Sequence, residues 1–283
     1  MQDAVSAGIK LSFRKIISNL TFRQEFHSKY RVKPVFAINI KCDLINEKLF
    51  LKSSFSQNFR TPTLNDKYWM PGGNPYILPE YGWTGDAGFQ YNQTFGPGHL
   101  IKAKVLYYHS SINNMIQWYP KDNSRIWEPR NSKKVWARGI ESELKYDNQL
   151  SPGVIVKSVI SYTFSKSTVV DAYEGPSNQI GKQLRYLPYH TGKGTFELLY
   201  KNFSFLANQV FAGLRYSDET NFMELPYYFL TNLVISYNKV YKKLTGNLSL
   251  RLDNLFNTDY RIVRAYPMPL RTYSINYKIE FNY

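Results

Sequence analysis

The sequence predicts an all-β chain: the wall of a transmembrane, antiparallel, up-and-down β-barrel with about thirteen strands. Three observations predict it. The first is the final stretch, where Tyr273, Ile275, Tyr277, Ile279, Phe281 and Tyr283 share one parity and Ser274, Asn276, Lys278, Glu280 and Asn282 the other. Successive side chains of a strand point to opposite faces, so this segment sets an unbroken apolar row against a wholly polar one. The second is that the alternation recurs along the chain. The third is that tight turns and long loops alternate between the strands, as they do at the two rims of an outer-membrane barrel. One strand of a soluble sandwich can look like the first observation; for recurrence along the chain with short turns between, a wall between lipid and a wet lumen is the better account.

Taken in order, the strands begin with Val5, Ala7, Ile9, Leu11 and Phe13 alternating with Ser6, Gly8, Lys10 and Ser12. The second turns Leu20 and Phe22 outward and Asn19, Thr21, Arg23 and Glu25 inward. The third covers about 35–44 and the fourth about 49–59, where Leu49, Leu51 and Phe55 oppose Lys52, Ser54, Ser56 and Asn58. Ala87, Phe89 and Tyr91 mark the fifth; Ile101, Ala103, Val105 and Tyr107 the sixth; Ile140, Leu144 and Tyr146 the seventh. Val154, Val156, Ile160, Tyr162 and Phe164 carry the eighth. Five more fall near 193–202, 204–217, 227–239, 244–257 and 271–283, with Leu248, Leu250 and Leu252 against Asn247, Ser249, Arg251 and Asp253 the cleanest.

Tight connections are expected at Arg14-Lys15, Ile45–Lys48, Phe95–Gly98, Leu150–Gly153 and around Tyr241–Gly246. Longer ones are expected at about 61–80, 121–134, 172–183, 218–226 and 262–270. With the C-terminus on the periplasmic side, every long loop lands outside. An odd strand number leaves two unpaired edges, which lipid does not tolerate. The count therefore predicts part of a larger barrel; one strand fewer or more would instead close a barrel of about twelve or fourteen. The opening MQDAVSAGIK has neither a basic n-region nor an apolar h-region, so a signal peptide is expected upstream.

Composition agrees with a barrel. Aromatic residues make up 17% of the chain while the hydrophobic fraction is 43% and the mean hydropathy −0.42. Aromatic girdles and a water-facing half of every strand give that combination. The formal charge of +15 comes from polar positions of alternating strands and from loops, without a Lys/Arg block, so no nucleic acid is expected as a partner. Lipopolysaccharide phosphates, an acidic ligand or a further part of the same protein suit it better. Cys42 shares its parity with Phe36, Ile38, Ile40 and Leu44 and reads as an inert wall residue.

Several segments resemble one family. Phe59-Arg60-Thr61-Pro62-Thr63-Leu64 with Tyr68-Trp69, then Gly73-Asn74-Pro75 through Pro79-Glu80, is similar to the strand-to-loop segment of TonB-dependent outer-membrane receptors. Asn131, Val135 and Arg138-Gly139-Ile140-Glu141 resemble the strand two hairpins on. Tyr162 to Ser167, then Gly181-Lys182-Gln183-Leu184 through Pro188 and His190, resemble the next. Asn254-Leu255-Phe256-Asn257 with Tyr260, then Pro267-Met268-Pro269 and Arg271-Thr272-Tyr273, resemble the closing hairpin, and Tyr283 the aromatic terminus read by the barrel assembly machinery. The order and spacing hold across residues 59–283, and the ending is most similar to cobalamin and siderophore receptors.

The resemblance implies residues 1–283 of a C-terminal barrel part, with about nine of some twenty-two strands, a plug, a TonB box and a signal peptide lying outside this chain. It implies outer-membrane lipid and lipopolysaccharide as surroundings in a Gram-negative cell. TonB-ExbB-ExbD would act through the plug, and a metal chelate such as cobalamin or an iron siderophore would be the ligand. A complete small barrel serving as a passive pore or adhesion scaffold is the alternative.

Residue by residue, Pro62, Pro75 and Pro79 lack a ladder donor and suit the point where strand gives way to loop. Gly73 and Asn74 supply turn conformations. Asn254 and Asn257 are expected to bond local backbone rather than ligand. Leu270 stands where the family usually has glycine, so the last long loop is expected to differ in shape. Tyr68, Trp69, Trp118, Tyr119, Trp127 and Arg130 are the candidate ligand contacts, since aromatics with arginine suit a large chelate bearing acidic groups. The competing reading is a girdle or loop packing. No enzyme, cofactor or metal site is expected: the four histidines are scattered, and adjacent His109 and Ser110 would face opposite ways on a strand.

Overall fold

The computed structural model describes residues 2–28, 32–96, 98–121, 124, 126–172 and 179–281. Its strands are β1 (Gln2–Phe13), β2 (Ile16–His27), β3 (Val35–Ile45), β4 (Leu49–Arg60), β5 (Glu80–Gly96), β6 (His99–Pro120), β7 (Trp127–Ser151) and β8 (Val154–Asp171). They continue with β9 (His190–Tyr200), β10 (Phe203–Ala212), β11 (Arg215–Tyr216), β12 (Glu224–Leu225), β13 (Tyr228–Tyr241), β14 (Leu244–Asp253) and β15 (Thr272–Phe281). Thirteen strands form one antiparallel sheet in chain order, and β11 and β12 make a separate two-stranded ribbon. A short helix, α1 (Leu64–Tyr68), interrupts the connection from β4 to β5. No helix among the described residues is long and apolar enough to cross a membrane.

Register carries the apolar parity from strand to strand. Ile9 sits opposite Leu20, Leu20 opposite Ile38 and Ile38 opposite Phe55, so each strand extends the same oily face. That face has no protein cover: Ile9, Phe89, Val105, Ile160, Ile235 and Leu250 are all exposed. A water-soluble protein does not leave such a surface bare, whereas lipid solvates it. The opposite face is lined by serine, threonine, asparagine, lysine and carboxylate side chains, with Lys52 donating to Gln90 at 2.6 Å and Thr195 to Asn208 at 3.1 Å.

The sheet is sheared as a barrel wall must be. One register row starts at Phe13, beside the tight turn after β1, and runs through Ile16, Cys42, Leu51, Phe89 and Val105. It continues through Ser142, Tyr162, Gly192 and Phe211 to Phe229, at the long-loop end of β13. A row that climbs from one rim to the other means strands tilted against the rim. Among the described residues β1 and β15 do not pair with each other, so the sheet is open.

The structure moves several expected boundaries. β6 and β7 run on to Pro120 and from Trp127, so the expected loop at 121–134 shrinks to 121–126. The reason is that beyond the membrane band both strand faces meet water or loops, and period-two alternation fades while the ladder continues. The tenth expected strand, 204–217, ends at Ala212, and Arg215–Tyr216 joins the small ribbon instead. The strand expected to reach 257 stops at Asp253, because Asn254 takes φ 52. Leu270 has no positive φ; Ala265 takes one in that loop, at φ 65. Tyr283 lies outside the described residues.

A small hydrophobic core sits at the long-loop end. Val135, Val169 and Leu184 are buried against Met115, Ala172 and Leu187. Val135 and Val169 lie on the polar parity of the sheet, so this core closes over the lumen side and ties the β8–β9 connection to the strand ends.

Candidate functional site

The long-loop end is assembled around a buried carboxylate. Thr63 caps α1: its hydroxyl accepts from the Asp66 amide at 3.1 Å, and Asp66 accepts from the Thr63 amide at 2.8 Å. This reciprocal box satisfies two helix-end donors at once. The other Asp66 oxygen accepts from the Trp118 indole at 3.0 Å, and Arg60 stands 3.6 Å from the oxygen that Thr63 bonds. Burial works against the charged form of Asp66. The Thr63 hydrogen bonds, the Trp118 indole and the Arg60 charge outweigh it and hold the carboxyl below its ordinary range.

Arg60 also meets Glu80 at 3.0 Å, and Glu80 accepts from the Ile116 amide at 2.7 Å. Asn131 bonds the Leu78 backbone in both directions, at 2.9 and 3.0 Å, and donates to the Asn114 carbonyl at 2.8 Å. Asn74 accepts from the Tyr76 amide at 3.0 Å. Gly72, at φ 122, lies so close to β7 that a Cβ there would meet the Trp127 carbonyl at 2.2 Å; a Cβ at Gly73 would meet the Trp69 amide nitrogen at 2.6 Å. The segment from Arg60 through Pro62, Pro75 and Pro79 to Glu80 is therefore stitched, mostly through backbone, onto the ends of β6 and β7.

The six candidate ligand contacts gather at the long-loop end but stand on different elements. Trp118 and Tyr119 stand on β6 and Trp127 and Arg130 on β7, so four of the six belong to strand extensions rather than loops. Tyr119 is buried, which pushes its hydroxyl pKa up. Tyr68, Trp69 and Trp127 are exposed. Arg130 pairs with Glu128 at 2.8 Å.

Arg185 escaped the sequence reading. Its guanidinium lies 4.6 Å from the Tyr119 ring centroid and 5.3 Å from that of Trp127, and it donates to the Trp118 carbonyl. It thus makes the aromatic strip of β6 and β7 continuous with the β8–β9 connection. A lone arginine in an aperiodic loop carries no pattern; the Gln183-Leu184 motif beside it was the available signal.

The closing-hairpin motif serves backbone. Asn254 accepts from the Thr258 amide at 2.8 Å and donates to the Thr258 carbonyl at 2.9 Å, while Asn257 accepts from the Arg271 amide at 3.0 Å. Phe256 is exposed. Gly139 sits opposite Tyr108, whose ring crosses it; a Cβ there would lie 2.8 Å from the Tyr108 hydroxyl. Glu141, opposite Leu106 and Thr163, is on the polar parity. His109 stacks on Trp83, and Ser110 meets Thr84 at 2.9 Å on the other face, so the two form no catalytic pair. Among the described residues no three His, Cys, Asp or Glu groups gather as a metal ion would need.

The Asp66 geometry makes a pH prediction. A carboxyl depressed by folding contributes stability above its unfolded value and loses it as pH falls through the folded one. Hydrogen-exchange protection of Leu64–Trp69 should hold at neutral pH and fail below about pH 4. Asp66→Asn should lower protection and remove the pH dependence; protection in the parent that persists unchanged to pH 2 would count against the lock.

Comparison with known proteins gives the arrangement a context. A family profile described as "TonB dependent receptor-like, beta-barrel" matches residues 20–255. Vitamin B12 transporter BtuB of Photobacterium profundum is 27% identical over 234 residues, covering 81% of this chain and 35% of that protein. BtuB of Vibrio vulnificus is 30% identical over 95 residues, covering 34% and 15%. Among solved structures, the copper transporter OprC superposes with a TM-score of 0.72 at 15% identity, over 99% of this chain and 47% of that one. The unliganded ferric citrate transporter FecA gives 0.69 at 18%, over 98% and 44%. Likeness at such identities shows the fold. The chain spans about a third or less of the length of the curated relatives it matches.

Proposed function

The chain belongs to the TonB-dependent receptor-like β-barrel family, and from that premise we propose that residues 1–283 form the C-terminal part of an outer-membrane receptor importing a metal chelate. The observation that carries this reading is the family match over an open, sheared sheet whose long-loop end is built into a fixed platform. In this reading the short turns and the C-terminus face the periplasm and the long loops face outward. Further strands complete the barrel along β1 and β15. A plug and TonB box on the same polypeptide would couple ligand to TonB-ExbB-ExbD, and the barrel assembly machinery would insert the whole.

The surface formed by Tyr68, Trp69, Trp127 and Arg185, backed by Trp118 and Tyr119, is the proposed ligand contact. Flat rings with a guanidinium suit a chelate that is partly apolar and carries acidic groups. Cobalamin is favoured because the curated relatives are vitamin B12 transporters; an iron siderophore is the second choice. Passive-pore activity needs a closed wall, and the open register gives it no support.

Two measurements test this together. An antibody to residues 64–79 should detect an outer-membrane polypeptide more than roughly twice the 33.2 kDa of this chain. Disrupting its gene should abolish TonB-dependent uptake of labelled cyanocobalamin or of a ferric siderophore. A band at this chain's own mass, with uptake of both unchanged, would remove the reading.

A further inference from the structure

The apolar face carries charges where lipid tails cannot be the neighbour. His109 on β6 lies opposite Arg138 on β7, and Arg138 opposite Lys166 on β8, all on the outward parity of Tyr107, Ile140 and Phe164. A tilted barrel strand crosses the hydrocarbon in about 9–11 residues. Counted from the turn between β7 and β8, Arg138 and Lys166 fall just past that length, at the headgroup level of the long-loop end. Like charges directly opposite destabilise a sheet. Among the described residues neither Arg138 nor Lys166 forms an ion pair; Arg138 only donates to Thr168 at 3.4 Å.

A second, independent feature lies beside this pair. β3 pairs with β4 only from Ala37–Ser56 downward, while Gln57–Arg60 of β4 pair with β5 alone. The strands part there and open a groove of about 550 Å³ walled by Phe22, Phe36, Phe55, Phe59, Tyr81 and Trp83. Lys33 closes its upper rim, 5.8 Å from the Tyr81 ring centroid. Rings join the groove to the charges: Phe55 to Trp83 at 6.0 Å, Trp83 to His109 at 5.3 Å and His109 to Trp136 at 5.9 Å. From Trp83 to Arg138 is two strand spacings across and two residues along, about 12 Å.

We infer that this strip docks one phosphorylated lipid of the surrounding leaflet. Its acyl or sugar portion lies in the groove and along the rings, and its phosphate sits between Arg138 and Lys166. Charge complementarity selects the occupant: a guanidinium and an ammonium on a lipid-facing wall take a phosphate oxygen fork, and the phosphate relieves their mutual repulsion. The inference requires membrane embedding but no particular cargo, so it stands or falls apart from the transport reading.

The test uses the intact polypeptide extracted from outer membranes, stripped of lipid in detergent and titrated by native mass spectrometry. The probes are bis-phosphorylated lipid A, its dephosphorylated form and inorganic phosphate. Bis-phosphorylated lipid A should bind, the dephosphorylated form about tenfold more weakly, and inorganic phosphate should not compete. Arg138→Gln with Lys166→Gln should weaken lipid A by about tenfold, while Lys102→Gln with Lys104→Gln on the polar face should change nothing. Heat-modifiable gel migration reports folding, and Lys166→Gln alone serves if the double variant misfolds. Equal affinity for both lipids, indifference to the outward substitutions, or competition by inorganic phosphate would each overturn the proposal.

Discussion

A Leu250→Arg substitution should sharply lower the amount of folded protein in the outer membrane, whereas Ser249→Arg should leave it near the parent level. Leu250 lies mid-strand on β14, opposite Ile235 on one side and Ile275 on the other, with nothing from the protein covering it. An arginine on that face must hold its charge in hydrocarbon, at a cost of about 2–4 kcal/mol near the midplane. Ser249 faces the opposite side, opposite Ser236 and Asn276, where a guanidinium remains hydrated. The two substitutions add the same charge one residue apart, so propensity and net charge cancel in the comparison. Heat-modifiable migration of outer-membrane fractions reads the outcome. Equal yields would mean that the assigned faces are wrong, and with them the lipid-facing wall.

That contrast rests on the feature most legible in the sequence. A period of two survives wherever one strand face meets lipid and the other water, as at Leu248, Leu250 and Leu252. Strand existence and order follow from it, and the single sheet in chain order agrees. What the pattern cannot mark is where a strand ends above the membrane. β6 continues through Ser110, Ser111, Asn113 and Asn114, residues polar on both parities, because its ladder there is held by neighbours rather than by lipid.

The platform was less legible, and for different reasons. α1 has only five residues, too few for a helical period, although Thr63 and Asp66 stand at capping-box spacing and could have announced it. The role of Gly139 depends on the Phe164 carbonyl of β8, 2.0 Å from where a Cβ would sit, and on the Tyr108 ring crossing it from β6, contacts made across 25 and 31 positions of sequence. Arg185 depends on where its loop lands. Motif residues such as Arg60, Glu80 and Asn254 were legible as a set, but their tasks became readable only through their partners. Most of them hold backbone, which explains how a loop platform keeps its shape above a wall that is itself open to lipid.

Gln183→Leu should detach the β8–β9 connection while leaving the barrel wall intact. The Gln183 side chain is 1% exposed, keeps a leucine-like volume, and works entirely through hydrogen bonds. It accepts from the Ser167 amide at 2.8 Å and donates to the Ser165 and Leu187 carbonyls at 3.2 Å each. Its backbone is gripped as well, by Asn221 at 2.7 and 2.9 Å. Leucine would leave one buried amide and two carbonyls without partners, at about 1–3 kcal/mol apiece. A loop cannot absorb several kilocalories per mole, so it should open and take Arg185 away from Tyr119 and Trp127. Hydrogen exchange should show lost protection across residues 179–189 with the amides of β13 and β14 unchanged. Under the ligand-contact reading, affinity for the transported chelate should fall in the same variant, and Arg185→Ala should reproduce that fall without the exchange change. Normal protection in Gln183→Leu would mean that packing around Val135 and Leu184, rather than this one amide, holds the connection down.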